Sequence, residues 1–283
     1  MPVEIELIGL DADDTLWHNM PIFVSAEARF REMLSHYHDD EWIDQRLNET
    51  QLKNLEHFGY GIKGFTLSMI ETAIDLSEGR VTGNEIRQLI ELSRAMLSAP
   101  VELLDGVEET VETLAGQYRL ILITKGDLFD QEGKLARSRL GSHFEQVHIV
   151  SAKTSDTYAS ILRSHGVTPE QFVMVGDSLR SDIVPVIEIG ANAVHIPVEN
   201  QWSHEIVPLE EIVDRSRFIE LPTIRQRPSG SHVSDWQSRS STQASPGPHA
   251  GQRGPPQSTS VSATTTLSTP SVHGSGRHVP ASQ

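Results

Sequence analysis

Apolar residues along the chain fall into short, nearly continuous runs that alternate with helical patterns. The runs occupy residues 6–10, 119–124, 147–150, 172–175 and 193–196. Runs of this kind are typical of parallel strands that are buried on both faces. Helical patterns at residues 107–115, 131–140, 157–165 and 179–189 separate most of them. Since strand and helix alternate over short connections, the sequence predicts an α/β fold with a doubly wound, Rossmann-like parallel sheet.

A long helical segment interrupts this alternation between the first two predicted strands. Within residues 19–99, apolar positions recur every three or four residues, which predicts four amphipathic helices. Thr82-Gly83-Asn84-Glu85 has the pattern of a capping box and marks the start of the last of these helices. We therefore predict an α/β core formed by residues 1–18 and 100–222. Residues 19–99 would form an inserted four-helix domain above the carboxyl ends of the strands, where open α/β sheets bind their ligands.

The composition changes near Arg225 into Ser, Thr, Pro, Gly and His, and apolar side chains become sparse. Such a segment cannot bury enough surface to offset the conformational entropy that is lost on ordering. The sequence therefore predicts that residues 223–283 form a disordered tail.

The formal net charge of the whole chain is -16. This charge disfavours nucleic-acid or anionic-membrane partners, because such partners require clustered Lys and Arg. The chain has no Cys, which excludes disulfides, thiolate metal sites and cysteine nucleophiles. Its first residues lack the features of a signal peptide, and no segment reaches the ~20 apolar residues of a membrane span. These observations favour a cytoplasmic protein that binds neither nucleic acid nor membrane.

Three carboxylates, Asp11, Asp13 and Asp14, follow the first predicted strand. Like charges this close raise one another's pKa values unless a cation compensates them. Where carboxylates gather without His or Cys ligands, the favoured cation is a hard divalent ion, Mg²⁺ above all. Asp14 is expected instead to bond to the local backbone, as Asp often does in turns.

Matching polar groups follow the other predicted strands. Thr124-Lys125-Gly126 follows the second strand and offers a hydroxyl group and a glycine-containing backbone suited to phosphate oxygens. Lys153 follows the third strand, and the segment from Gly176 to Asp182, GDSLRSD, follows the fourth. Because the carboxyl ends of parallel strands meet at one edge of a sheet, we expect these groups to share one pocket.

Four segments resemble, in order, the four signature motifs of the haloacid dehalogenase-like hydrolase superfamily. They are DADDT, the Thr of ILIT, the Lys of VSAK and the acidic GDSLRSD. The helical insertion resembles the cap domain of the first type in that superfamily. The resemblance extends over residues 3–221 and leaves the tail out.

The resemblance implies a role for each acidic position. Asp11 would be the nucleophile that attacks phosphorus and becomes a phosphoaspartate. Asp13 would be the acid that protonates the leaving oxygen and then the base that activates water. Mg²⁺ would be held by the Asp11 carboxylate, the Asp13 backbone carbonyl and Asp177. Thr15 and Asp182 would support these groups.

The resemblance also implies a phosphate-binding set. Thr124, with the backbone amides of Lys125 and Gly126, would bind a phosphate oxygen. Lys153 would neutralise the charge shared by Asp11 and the phosphoryl group. These roles agree with the chemistry of phosphoryl transfer, which depends mainly on positioning and charge compensation.

An acid at Asp13 distinguishes the phosphatases of this superfamily from its members that cleave carbon–halogen bonds. The resemblance therefore implies Mg²⁺-dependent hydrolysis of a small phosphorylated metabolite through an aspartyl-phosphate intermediate. A phosphomutase would share every catalytic residue, and a non-catalytic phosphate-binding protein could keep the fold. A receiver-like signalling module also uses an acidic site with Thr and Lys, but such modules are about half this ordered length and lack the insertion.

Two further positions carry specific expectations. Residues 58–65 combine three glycines, three aromatic residues and a lysine. They form either an ordinary interhelical loop or a loop that dips over the site, in which case Tyr60 or Lys63 would contact the organic part of the substrate. Lys134 lies inside a predicted helix and is expected to be a surface charge.

Overall fold

The computed structural model describes residues 4–199 and 201–225. The predicted disordered tail lies outside the described residues from residue 226 onward, so that prediction stays untested.

A six-stranded parallel sheet forms the centre of the described fold. Its strands are Leu7–Leu10 (β1), Arg119–Lys125 (β2), Gln146–Val150 (β3), Phe172–Gly176 (β4), Asn192–His195 (β5) and Phe218–Glu220 (β6). The strand order is β3-β2-β1-β4-β5-β6, and every neighbouring pair is parallel. The predicted doubly wound sheet is confirmed. The sequence pattern missed β6, because its three residues form no apolar run that stands out from the surrounding segment.

Four helices occupy residues 20–97, within the segment 19–99 for which four were predicted. They are Met20–Leu34 (α1), Asp40–Phe58 (α2), Ile62–Leu76 (α3) and Gly83–Leu97 (α4). They share an apolar core of their own, to which Phe30, Leu34, Ile43, Leu47, Phe65, Met69 and Leu89 contribute buried side chains. The capping box at Thr82 and Glu85 is confirmed. The division of the chain into a core domain and an inserted domain at residues 19 and 99 stays a prediction.

The remaining helices cover the faces of the sheet. They are Val107–Ala115 (α5), Leu128–Ser138 (α6), Ser155–His165 (α7) and Val184–Glu188 (α8). Helix α6 begins three residues earlier than predicted, because the Asp127 side chain caps it by accepting a hydrogen bond from the Asp130 amide. The predicted helix at residues 179–189 is divided into a π-helical turn, Leu179–Ile183, and α8. Pro185 lies in the first turn of α8, where its missing N–H is tolerated.

Side chains of β1 alternate between two apolar layers, one on each face of the sheet. Leu7 belongs to the same buried cluster as Phe172 and Tyr158, whereas Ile8 and Leu10 belong to the opposite one. This alternation explains why the strand is apolar without interruption.

The start and the end of the helical insertion run side by side. The Leu104 amide donates a hydrogen bond of 3.0 Å to the Leu16 carbonyl, and the His18 amide donates one of 2.9 Å to the Glu102 carbonyl. Because Leu16 and His18 lie just beyond β1, these bonds attach the insertion next to the carboxyl end of that strand.

We expect Thr82→Ala to lower the free energy of unfolding by about 1 kcal/mol, because it removes an N-cap hydroxyl from α4. Thr82→Ser keeps the hydroxyl and should retain most of the stability. Thr113→Ala removes a hydroxyl that only bonds back to the Glu109 carbonyl within a helix, and should cost little. Urea unfolding of the three variants measures these differences. Equal effects of Thr82→Ala and Thr113→Ala would contradict the capping argument.

Candidate active site

The four sequence segments that follow β1, β2, β3 and β4 converge at one edge of the sheet. Asp11 follows β1, Thr124 and Lys125 end β2, and Asp177 follows β4. Strand β1 lies between β2 and β4. The chain therefore forms β2 and β3 on one side of β1, and β4, β5 and β6 on the other side. This is the topological switch point at which doubly wound folds bind ligands.

Lys153 lies at the centre of this convergence and is buried. Its Nζ donates hydrogen bonds to Asp11 Oδ1 and, at 2.6 Å, to Asp182 Oδ1. Its side chain is only 1% exposed. Burial by itself lowers the pKa of Lys153, but the charges of Asp11 and Asp182 raise it above its ordinary value. Lys153 is therefore a permanent cation between two carboxylates.

Three buried carboxylates form a group that suits a divalent cation. Asp11, Asp177 and Asp182 each offer an oxygen, and these oxygens lie within 4.8 Å of one another. Burial raises the pKa of Asp177 well above its usual value and that of Asp11 to about 7, although Lys153 opposes both shifts. Three carboxylates and one lysine leave uncompensated negative charge, so the donor set fits a hard cation with oxygen ligands. Thr15 Oγ1 donates a bond of 3.3 Å to Asp177 Oδ1.

Asp13 lies near Asp11 in sequence, but its carboxylate has different partners. It accepts hydrogen bonds from Trp17 Nε1 at 2.7 Å and Gln131 Nε2 at 2.8 Å. Lys134 Nζ lies 3.0 Å from both Asp13 oxygens. The Asp13 carboxylate is thus not part of the group formed by Asp11, Asp177 and Asp182. The expectation that Asp13 is a metal ligand concerned its backbone carbonyl and not this carboxylate.

The expectation that Lys134 is a surface charge was wrong. Its side chain is 8% exposed and pairs with Asp13 and, at 3.5 Å, with Asp130. Burial lowers the pKa of Lys134, but these two carboxylates raise it above its ordinary value. Lys134 Nζ also donates a 2.8 Å bond to Asn19 Oδ1. Gln131 and Lys134 are three apart on α6 and therefore share a face, a spacing that a search for partners of Asp13 could have used.

Thr124 and Gly126 have geometry compatible with the predicted phosphate contact. Thr124 is buried, and the bond that its hydroxyl makes, to the Lys125 carbonyl, is long at 3.5 Å. Gly126 has a φ of 139°, in the region that disfavours side chains. A phosphate role for either residue stays a proposal.

The Lys125 side chain turns toward a residue that the sequence pattern did not reveal, Glu205. Lys125 Nζ donates to Glu205 Oε1 and, at 2.6 Å, to Ser181 Oγ. Glu205 also accepts from the hydroxyls of Ser178 and Ser181. Burial acts to raise the pKa of Glu205, but Lys125 and these hydroxyls lower it to about 2. Glu205 is therefore a carboxylate beside Lys125 Nζ.

The segment that contains Glu205 also connects the site with the helical insertion. Gln201 Nε2 donates a bond of 2.9 Å to the Asp177 carbonyl. Trp202 Nε1 donates to Asn48 Oδ1 of α2 at 3.3 Å. A short 3₁₀ turn, Ser203–Glu205, ends the segment. No periodic pattern marks these residues, which explains why the sequence did not single them out.

Tyr60, in the turn between α2 and α3, and Lys63, in the first turn of α3, occupy different surroundings. Tyr60 lines the cavity at the site, and its ring centroid lies 4.2 Å from Lys125 Nζ. Burial, with the charge of Glu205, raises the pKa of Tyr60 to about 12, so its hydroxyl stays protonated. Lys63 is 56% exposed, pairs with Asp127 at 2.9 Å and is not among the residues that line the cavity. A contact of either with substrate stays a prediction.

A cavity of about 170 Å³ lies between the sheet edge and the helical insertion. Asp11, Asp13, Thr124, Lys125, Lys153, Asp177 and Asp182 line it from the sheet. Residues of α1, α2, α3 and the Tyr60 loop line it from the insertion. The structure thus brings together the residues that were predicted from four separate segments.

The fold and this cavity define a doubly wound α/β protein with an acidic, lysine-containing site under a helical insertion. The chain belongs to the haloacid dehalogenase-like hydrolase family, whose family model matches residues 5–190. The family predicted from the four motifs, and with it the prediction of a hydrolase, is confirmed.

Individual relatives agree with this assignment. A haloacid dehalogenase-like family hydrolase from Xanthomonas campestris shares 40% sequence identity with a TM-score of 0.69, over 84% of this chain and 91% of that one. The 5-amino-6-(5-phospho-D-ribitylamino)uracil phosphatase YigB of Escherichia coli (strain K12) is 25% identical over 245 residues, which are 78% of this chain and 96% of the relative. N-acylneuraminate-9-phosphatase of Mus musculus is 29% identical over 130 residues, 44% of this chain and 52% of the relative.

The length and hydropathy of the helices bear on the expectation that the chain has no membrane span. Within residues 4–199 and 201–225, no helix is both long and apolar enough to cross a bilayer.

We expect Lys134→Met to lower the free energy of unfolding by about 3–5 kcal/mol, because it leaves Asp13 and Asp130 without their shared counter-charge. Lys63→Met breaks an exposed pair with Asp127 and should cost less than about 1 kcal/mol. Urea unfolding of both variants provides the comparison. A loss for Lys134→Met no larger than that for Lys63→Met would contradict the buried role of Lys134.

Proposed function

We propose that the protein is a Mg²⁺-dependent phosphatase that hydrolyses a small phosphorylated metabolite through an aspartyl-phosphate intermediate. The observation that carries this proposal is the position of Asp11. Its buried carboxylate lies against Lys153 and next to Asp177 and Asp182. A second carboxylate, Asp13, is two residues away with partners of its own.

Charge compensation at this site suits a phosphoryl group. Asp11, the Asp13 carbonyl and Asp177 would hold Mg²⁺, which supplies positive charge to the phosphoryl oxygens when bound. Asp182 accepts hydrogen bonds from Lys153 and from the Ser178 amide, and would thereby help to position the groups around Asp11. Lys153 favours the ionised form of Asp11 and offers a cation to the phosphoryl group.

The reaction would proceed in two balanced steps. An Asp11 oxygen forms a bond to phosphorus while the bond from phosphorus to the ester oxygen breaks, and protonated Asp13 gives its proton to that oxygen. Asp13, now a carboxylate, takes a proton from water as the water oxygen attacks phosphorus. The bond from phosphorus to Asp11 then breaks, which releases phosphate and restores the Asp11 carboxylate.

Phosphate would be oriented by groups at the end of β2. Thr124 Oγ1 and the backbone amides of Lys125 and Gly126 are the donors we assign to it. Because the Lys125 side chain is engaged by Glu205 and Ser181, the contribution of Lys125 is through its amide rather than its ammonium group.

The names of the curated relatives support the reaction class. Both relatives are named as phosphatases, one for a phosphorylated ribitylaminouracil and one for an N-acylneuraminate 9-phosphate. The two substrates differ in their organic parts, so the names support phosphate ester hydrolysis for this chain without selecting a substrate. The expected metabolite is small, because the cavity of about 170 Å³ lies below the range of about 300–1,000 Å³ typical of sites for drug-sized ligands.

We expect Asp11→Asn to lower phosphate release from a panel of phosphate esters by at least about 1,000-fold, because the nucleophile is lost. The assay compares both proteins with Mg²⁺ and with EDTA, and only the wild type with Mg²⁺ should be active. Asp75→Asn, an exposed substitution on α3, serves as the matched control and should retain full activity. Circular dichroism and thermal unfolding check that Asp11→Asn folds.

Two results would contradict this proposal. Phosphate release that persists in Asp11→Asn would exclude Asp11 as the nucleophile. A rearranged phosphate ester in place of free phosphate would identify a phosphomutase instead.

A further inference from the structure

The cavity is lined by more negative than positive groups. Its described lining contains eight carboxyl residues and three lysines. The carboxyl residues are Asp11, Asp13, Asp14, Glu27, Asp130, Asp177, Asp182 and Glu205. No arginine belongs to this described lining. An anionic group beyond the phosphate would therefore need a lysine that is free to meet it.

Each of the three lysines is already paired within the site. Lys153 contacts Asp11 and Asp182, and Lys134 contacts Asp13 and Asp130. The third lysine, at position 125, contacts the carboxylate at position 205. Of these, Lys153 is assigned to the phosphoryl group. The part of the cavity beyond the phosphate thus offers no uncommitted cation among the described residues.

Two residues of the lining carry buried acceptor atoms without partners. Gln131 Oε1 and Asp130 Oδ1 are buried and make no hydrogen bond. The orientation of the Gln131 amide is fixed, because its Nε2 donates to Asp13 Oδ2. Both oxygens are themselves shielded from solvent, so they add negative potential to the wall of the cavity and are not open to a ligand.

Glu27 adds a carboxylate on the insertion side of the cavity. It is partly buried on α1, one turn after Phe23, and the described structure gives it no hydrogen bond or ion pair. Phe23 and Phe65, also in the lining, contact each other edge to face at 5.1 Å. Burial, and secondarily the charge of Asp44, raises the pKa of Glu27 above its usual value. The nearby cation, Arg31, is paired with Asp44 at 2.8 Å.

We propose that the organic part of the substrate bears hydrogen-bond donors and no second negative charge, and that Glu27 receives one of those donors. The substrate class is a phosphate monoester of a polyhydroxylated or amino compound. This inference rests on the proposed phosphatase function. A carboxylate in the substrate would meet the Glu27 carboxylate instead of a cation, whereas a hydroxyl or ammonium group would donate a hydrogen bond to it.

Matched esters test the charge requirement directly. Glycerol 3-phosphate and 3-phosphoglycerate differ by a terminal CH₂OH or carboxylate, and so do sorbitol 6-phosphate and 6-phosphogluconate. Ethanolamine phosphate supplies the ammonium case. For the pair that the wild type hydrolyses faster, we expect kcat/KM to be at least about tenfold higher for the hydroxyl member than for the carboxylate member.

Variants of Glu27 test its role. Glu27→Gln should reduce the preference for the hydroxyl member at least about threefold, and Glu27→Lys should reduce it further or reverse it, because the carboxylate member then gains a cation. Glu32→Lys makes the same charge change at an exposed position of α1 and should alter the ratio less than about twofold. An unchanged ratio in Glu27→Lys would overturn the assignment of Glu27.

A generic substrate and a binding assay separate this inference from the proposed function. If the wild type hydrolyses p-nitrophenyl phosphate but prefers the carboxylate member of both pairs, the inference is wrong and the phosphatase function stands. If no ester is hydrolysed, the phosphatase proposal fails. Binding of the same pairs to Asp11→Asn, measured by calorimetry, then decides the recognition: tighter binding of the hydroxyl members supports it, and equal or weaker binding overturns it.

Discussion

The rest of the site depends on the charge compensation that the buried ammonium group of Lys153 provides. The strand order places the ends of β1 and β4 side by side, which brings the carboxylates of Asp11 and Asp177 together. Without a cation, burial of these groups would be strongly unfavourable. Lys153 offsets part of this charge and also binds Asp182. Gly176 permits this approach, because a Cβ at that position would lie 2.3 Å from Asp182 Oδ2.

A second lysine allows two carboxylates only two residues apart to have separate surroundings. Lys153 contacts Asp11, whereas Lys134 contacts Asp13 from α6. The second group is also linked to the start of the helical insertion, because Lys134 bonds to Asn19 Oδ1, and the amides of Asn19 and Met20 donate to Asp14. Asp14 thus bonds to the local backbone, as the sequence predicted. In the proposed mechanism, the residue that transfers protons is therefore connected to the insertion, and the nucleophile to the sheet.

Most of the fold, but only part of the site, could be predicted from the sequence. Buried strands such as β1 are apolar without interruption, and their carboxyl ends necessarily meet, so the convergence of Asp11 and Lys153 followed from local patterns. The burial of Lys134 was not predicted, because a lysine in an amphipathic helix is usually exposed. Its burial depends on Asp13, which is distant in sequence. Glu205 lies in an aperiodic segment, and its partner Lys125 is 80 residues away. Contacts of this kind depend on tertiary packing, which hydrophobic periodicity does not encode.

Because Lys125 is paired with Glu205, Lys153 is the lysine that the proposed mechanism assigns to the phosphoryl group. The Lys125 ammonium group donates to Glu205 and to the Ser181 hydroxyl and is therefore not available for a second contact, while the Lys125 amide stays part of the loop at the end of β2. The same Glu205 segment reaches the insertion through Trp202 and Asn48. In the proposed mechanism, charge for the phosphoryl group is therefore concentrated at the sheet edge, and the insertion offers the Glu27 carboxylate and aromatic surface. In the proposed function a phosphate group is common to every candidate substrate, so we expect selection among substrates to come from the insertion side of the cavity.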